Sequence, residues 1–277
     1  MQRGLANPSV LVSHNIVTTF KSYDKPMKIV IIGAGNVGTN LEAAFRRAKL
    51  DVTLVSSREA ESLRGRDDQC NCTIDNLPMT GDVYFYTVAD NAVADIINKV
   101  HVHTRAMHLI TSGTLPLSIF GSDKPHCGIF YPFMTFSKTR ILEDFSNVPI
   151  FIEAKNIDDT AAVYSLALTL TSHVYEASQA AREKLHVAGV FVNNFTNSLY
   201  GCAQDILRGT GIPFTCLLPL IDETAAKVHD LSPKDAQTGP AKRGDEAVME
   251  HHLSILHPEE QEIYQLLSNK IKKQQSL

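Results

Sequence analysis

Apolar and polar positions along this chain fall into two regimes. Up to about residue 177, short apolar and β-branched runs alternate with stretches of helical periodicity. Residues 27–32, 82–88, 106–112, 127–131 and 148–152 read as buried strands, 51–58 as a second apolar run ending in small polar residues and an arginine, and 39–48, the stretch after 91 through 99, and 158–172 as helices. A short strand is expected at 173–176, and from residue 178 nearly every segment is helical, up to a polar tail at 270–277. Strands alternating with helices predict a doubly wound, mostly parallel sheet. The expected organisation is an N-terminal extension at 1–26, an α/β domain at 27–177 and an all-helical domain at 178–277 that serves substrate binding and dimerisation. A chain of 277 residues is long enough for two such cores.

The first strand leads into the most informative turn. Residues 27–38 read M-K-I-V-I-I-G-A-G-N-V-G, a G-x-G-x-x-G turn between strand and helix, which is the context of a Rossmann-type dinucleotide fingerprint. Gly33 permits the tight turn, Gly35 lets the backbone approach a pyrophosphate, and Gly38 lets the helix pack on the strand. Asn36 and Val37 complete the turn before the helix, at whose N-terminus unpaired N–H groups and the positive end of the dipole favour phosphate. The competing reading is a tight βα turn whose glycines serve packing alone.

About twenty residues beyond the fingerprint, the position that selects the cofactor is occupied by Ser56, Ser57 and Arg58. An acid here would bind ribose hydroxyls and repel a 2′-phosphate, whereas hydroxyls and a guanidinium suit that phosphate. NADP is therefore favoured over NAD, the alternative being that Arg58 opens a solvated helix with Glu59 and Glu61. Ligands of such sheets sit beyond the carboxyl ends of the strands, so Val88, Ala89, Asp90, Ser112 and Gly113 are expected to border the cofactor.

Charge and cysteine content narrow the picture. A net charge of −4 gives no electrostatic reason for nucleic acid or membrane partners. Five cysteines form an odd set without metal spacing, which suggests reduced thiols in a cytoplasmic protein. No apolar run reaches the 18 residues of a membrane span, so a soluble protein is expected. Residues 1–26 read as an extension before a candidate start at Met27, a transit peptide being the alternative because the segment is poor in acids. His251, His252 and His257 have no strong metal-ligand spacing, and no metal is expected.

The first helix of the second regime, expected from 178 to about 208, carries no Asp, Glu, Lys or Arg between 185 and 204. At about 100° per residue, His186, Asn193, Asn197, Tyr200 and Gln204 share one narrow stripe. An uncharged, amide-rich stripe suits either a ligand cleft or a buried interface between helices. Farther on, residues 238–245 (T-G-P-A-K-R-G-D) form a turn in which Arg243 can hold an anion, while Asp245 can orient it or cap the next helix. Tyr131 and Pro132 follow a late strand, the tyrosine being either a proton donor or a packed ring with a satisfied hydroxyl.

The segments G-A-G-N-V-G, S-S-R, G-I-F-Y-P-F-M-T-F-S at 128–137, H-V-A-G-V-F-V-N-N at 186–194 and T-G-P-A-K-R-G-D together resemble NADP oxidoreductases of the 6-phosphogluconate-dehydrogenase-like class. Those proteins have a Rossmann-like domain and a helical C-terminal domain of unknown function. The resemblance spans about residues 27–267 and extends more distantly to pyrroline-5-carboxylate reductase and the 3-hydroxyisobutyrate dehydrogenases. It implies a substrate held between the domains and a helix contributing a lysine and an asparagine one turn apart. Asn194 ends the matching V-N-N, but the lysine position falls on Val190.

The expected function is NADP-dependent hydride transfer to or from a small carbonyl or imine carbon, in a homodimer. His186 handles the proton, Asn193 and Asn197 position the reacting atom, and Arg243 binds an anionic group, the alternatives being a core histidine hydrogen-bonded to a carbonyl and, at Arg243, a surface ion pair beside an N-cap. A catalytically inactive NADP-binding sensor or scaffold is the alternative, which the missing lysine motivates.

Overall fold

The computed structural model of the chain describes residues 27–56 and 72–275. The β-branched run K-I-V-I-I forms β1 (Lys28–Ile32) and passes into α1 (Asn36–Arg47), then β2 (Asp51–Ser56) and the short β3 (Cys72–Thr73). After these come β4 (Val83–Tyr86), α2 (Asp90–Lys99), β5 (Met107–Ile110), β6 (Cys127–Pro132), β7 (Ile150–Ala154), α3 (Ile157–Ala167) and β8 (Val174–Glu176). The eight strands form one sheet in the order β3-β2-β1-β4-β5-β6-β7-β8. Every neighbouring pair is parallel except β6 with β7. The expected doubly wound, mostly parallel sheet is thus observed.

Helices cover both faces, so the strands are apolar throughout and alternate residues feed two cores. On one face Ile29, Ile31, Phe85, Leu109 and Phe130 pack with Leu41 and Phe45 of α1 and with Val163 and Leu166 of α3. On the other, Val30, Ile32, Tyr86, Ile110 and Ile129 pack with Val93, Ile96 and Ile97 of α2. The register pairs Ile32 with Val55 and with Tyr86, and pairs Ile110 with both Tyr86 and Ile129. The carboxyl ends of the central strands are therefore level, and the loops leaving them form one rim.

The second core contains a buried imidazole. His108 stacks with Tyr84 and Tyr86, at ring separations of 5.7 and 5.9 Å, and its Nδ1 shares a 2.8 Å hydrogen bond with the Tyr86 hydroxyl. Burial, followed by the charges of Lys124, His103 and His126, lowers its pKa to about 3. In the unfolded chain an imidazole protonates near pH 6.5. The neutral ring thus stabilises the fold fully above about pH 6.5, and that contribution is lost progressively as pH falls towards about 3. Thermal melts are expected to show Tm decreasing between pH 7 and 4, with a shallower decrease in His108→Gln. Equal slopes would refute the assignment.

Contacts divide the chain into two compact units, 1–189 and 190–277. The helical region begins with α4 (Gln179–Gly189), directly after β8. A π-helical turn over Val190–Phe195 precedes α5 (Thr196–Ile206). The uniform helix expected across 178–208 is therefore corrected. The run V-F-V-N-N-F consists of poor helix formers, and the Thr196 hydroxyl donates to the Phe191 carbonyl five residues back. Bonds of i→i+5 type change the turn, so a stripe drawn at a constant 100° per residue does not carry from His186 to Asn193.

The second unit continues with α6 (Leu218–Asp230), α7 (Pro233–Ala236), α8 (Pro240–Arg243), α9 (Glu246–Ile255) and α10 (Pro258–Gln275). Gln261 joins α10 to the end of α9 through the carbonyls of Leu253 and Leu256, and His252 bonds the Tyr264 hydroxyl at 2.8 Å. No helix among the described residues is long and apolar enough to cross a membrane.

Candidate functional site

The rim of the sheet begins at the glycine turn. Gly33 has φ +122°, and an added Cβ would stand 2.8 Å from the backbone carbon of Thr87, which follows β4. The Thr87 hydroxyl donates to the Gly33 carbonyl at 2.7 Å, and Gly33 N–H donates to Val55 at 2.8 Å, so the turn is held from both neighbouring strands. Gly38 is the point of closest approach between α1 and the turn: a Cβ there would lie 1.9 Å from the Gly33 carbonyl oxygen.

Gly35 differs, because a Cβ there would meet nothing within 4 Å. It is the N-cap of α1, without a side-chain cap and without an acid in the first turn. The positive end of the helix dipole therefore faces open space. A phosphate group fits this cradle, since packing requires two of the three glycines while the third borders a vacant approach to backbone N–H groups.

α1 also anchors the loop between β6 and β7, which packs on the same face of the sheet. Asn40 is fully buried; its amide donates to the Ser137 carbonyl at 3.0 Å, and its carbonyl accepts from Leu142 N–H at 2.8 Å. Asn36 accepts from Lys138 N–H at 3.0 Å. The segment 137–142 is thereby fixed alongside the helix, with the Lys138 backbone at its first turn.

The end of β2 places Ser56 inside the fold, and Ser57 and Arg58 lie outside the described residues. Beyond β4, Val88 and Ala89 lead to Asp90, the first residue of α2. The Asp90 carboxylate accepts from Ser112 at 2.8 Å and from Thr114 at 2.9 Å. Ser112 in turn accepts from the N–H groups of Thr114 and Leu115, each at 3.1 Å. A closed hydrogen-bond network thus joins the loops after β4 and β5, with Gly113 inside it.

Tyr131 occupies the rim at the end of β6, and its hydroxyl is 3.1 Å from His186 Nδ1. His186 is held there by the seat of α4. Arg182, one turn earlier and with no exposed surface, pairs with Glu153 of β7 and donates to the Leu115 carbonyl at 3.0 Å. At the helix end, Gly189 lies so close to Phe133 that a Cβ would stand 2.8 Å from its ring.

The structure thus brings Gly33, Gly35, Asn36, Val37, Gly38, Ser56, Val88, Ala89, Asp90, Ser112, Gly113 and His186 into the first unit, mostly along one rim. Asn193, Asn197 and Arg243 belong to the second unit, where all three are exposed. Arg243 ends α8 between Gly239 (φ +104°) and Gly244 (φ +71°). Asp245 caps α9 by accepting from Val248 N–H at 3.3 Å. Sequence reasoning missed Thr87, Asn40 and the Arg182–Glu153 pair. Each acts across 29 to 102 positions of chain, and no local pattern signals such partners.

A family model described as "Domain of unknown function (DUF2520)" matches residues 148–271. No match was found among curated proteins. Among solved structures, the chain is similar to a protein from Bacteroides fragilis assigned as an NADP oxidoreductase. Identity is 39%, over 90% of this chain and 98% of that one, with a TM-score of 0.83. It is also similar to a Thermotoga maritima protein, at 19% identity over 90% of this chain and 98% of that one, with a TM-score of 0.65. A reductive aminase from Aspergillus terreus in complex with NADPH and ethyl levulinate is 16% identical over 90% and 93%, with a TM-score of 0.63. The last two likenesses concern the fold alone.

Proposed function

The chain belongs to the NADP oxidoreductase family of the Bacteroides fragilis protein, and we propose that it transfers a hydride between NADP and the carbon of a small carbonyl or imine substrate. The observation that carries this reading is the cradle at Gly35, open beside an uncapped helix end while Gly33 and Gly38 are packed shut. Gly33, Gly35, Asn36, Val37 and Gly38 would hold the pyrophosphate, with Val88, Ala89, Asp90, Ser112 and Gly113 towards the nicotinamide. The bound cofactor supplies the hydride, and the chain supplies orientation, exclusion of water and a proton. Ser56, Ser57 and Arg58 are assigned to the 2′-phosphate on their chemistry.

His186 is the proton source, because it is exposed at the rim and fixed by α4. Asn193 and Asn197 are assigned to positioning the reacting oxygen or nitrogen, and Arg243 to an anionic group of the substrate. Substrate binding and dimerisation are assigned in this reading to residues 178–277. A homodimer is supported by the apolar surface of the helices: Val192, Leu220 and Leu266 are 73%, 65% and 72% exposed. Cysteines 127, 202 and 216 are free thiols, which suits the cytoplasm.

Fluorescence titration is expected to show NADPH binding at least about tenfold tighter than NADH, a difference of ~1.4 kcal/mol. NADPH oxidation across a panel of imino and keto acids should then reveal turnover. Absence of dinucleotide binding would overturn the reading, and binding without turnover on any member would favour the sensor.

A further inference from the structure

We propose that Tyr131 is the acid that delivers the proton to the substrate, and that His186 stands behind it and restores that proton. This rests on the reductase reading and deepens it, because it moves the direct donor from the imidazole to the phenol. The geometry that carries it is the 3.1 Å contact between Tyr131 Oη and His186 Nδ1, at the end of β6.

Tyr131 stands where the substrate end of the cofactor belongs. Adjacent strands are about 4.8 Å apart, so the end of β6 lies roughly 14 Å along the rim from the glycine turn of β1. Between them are the ends of β4 and β5, assigned to the nicotinamide side. The ring lies directly over Gly113: a Cβ on that residue would meet Tyr131 Cζ at 2.8 Å and Oη at 3.0 Å. Its hydroxyl is thus set beside the loop that borders the nicotinamide. Phe133 packs edge-on against the ring at 5.9 Å and completes its seat.

The surroundings keep the phenol protonated. Burial, and then the negative charge of Asp90, push the Tyr131 hydroxyl above its ordinary range. His186 by contrast is exposed to water, which allows it to exchange protons with solvent. The two groups divide the task between an acid shielded within the rim and a carrier open to the outside.

The step balances as follows. The substrate carbon gains a hydride from the dihydronicotinamide, which is oxidised, and the π pair of the C=O or C=N bond moves to the oxygen or nitrogen. That atom takes the Oη proton as the Tyr131 O–H bond breaks. The phenolate takes a proton from the Nδ1–H of the His186 imidazolium, and the neutral imidazole left behind regains a proton from water.

The test compares Tyr131→Phe, His186→Ala and the wild type, with 1-pyrroline-2-carboxylate and pyruvate as probes and NADPH as reductant. Tyr131→Phe is expected to lower kcat by about 100-fold, a typical general-acid contribution, with NADPH Kd within twofold of wild type. His186→Ala should fall less, and added imidazole should restore it without restoring Tyr131→Phe. In the cofactor-free protein, the 15N signal of His186 Nδ1 should move in Tyr131→Phe, which reads the contact independently of activity. A Tyr131→Phe variant with wild-type kcat overturns the proposal, as does an unmoved His186 signal. Wild-type protein that binds NADPH but turns over neither probe counts against the relay, and wild-type protein that binds no dinucleotide overturns the reductase reading itself.

Discussion

Gly38→Ala is expected to abolish measurable NADPH binding and to destabilise the fold, whereas Gly35→Ala weakens NADPH binding and leaves stability unchanged. The two residues lie three apart in the same turn, and their surroundings are opposite. A Cβ at Gly38 would stand 1.9 Å from the Gly33 carbonyl oxygen and 2.5 Å from the Thr87 hydroxyl. Backbone must move to relieve that overlap, because Gly33 is itself fixed by Val55 and Thr87. Overpacking of this kind costs about 1–3 kcal/mol or more, a lowering of Tm by roughly 3–10 °C. At Gly35 the Cβ meets no protein atom and protrudes only where a phosphate would approach. A loss of affinity of about tenfold or more, ~1.4 kcal/mol, with an unchanged melt is the expected signature. Thermal melts and NADPH titration of both variants check it, and wild-type affinity in Gly35→Ala would place the phosphate elsewhere.

Glu153→Leu should produce the second large effect. Arg182 has no exposed side-chain surface, and Glu153 is 30% exposed. Without the carboxylate, the guanidinium retains only the carbonyls of Leu115 at 3.0 Å and Ala177 at 3.4 Å, and its Nε has no partner among the described residues. Leaving a buried charge uncompensated costs about 3–5 kcal/mol, and the partial exposure of Glu153 favours the lower end. Combining Glu153→Leu with Arg182→Met removes the orphaned charge and should recover most of the loss, since apolar replacements of buried pairs are often neutral. Urea denaturation of the wild type, the single and the double variant gives the comparison. A single variant as stable as wild type would show that water reaches the guanidinium.

The same pair bears on the site. Arg182 lies one turn before His186 on α4 and ties that helix to β7 and to the loop after β5. The imidazole therefore owes its position at Tyr131 partly to an ion pair 29 residues apart in the chain.

Much of the first unit was legible because its signals are local. The run K-I-V-I-I, the glycine spacing and the following helix predict β1, the turn and α1, and all three are observed. The short strand expected at 173–176 and the helix expected at 158–172 are likewise present, at Val174–Glu176 and Ile157–Ala167. The segment 178–208 was legible only as helix. Its uniform register fails because the π-helical turn at Val190–Phe195 depends on which carbonyl each N–H chooses, and 3.6-residue periodicity does not encode that choice.

By itself the sequence determined the sheet of alternating strands and helices, the dinucleotide turn and the chemistry available at each candidate position. These follow from hydrophobic period, glycine's missing Cβ and side-chain type, all of which act within a few residues. The tertiary structure alone decided which glycine is vacant and which are packed. It also decided that Asn40 fastens the loop 137–142, and that Tyr131 and His186 meet. Those outcomes need backbone segments tens of residues apart to reach within about 3 Å of one another, and only the folded sheet brings them that close.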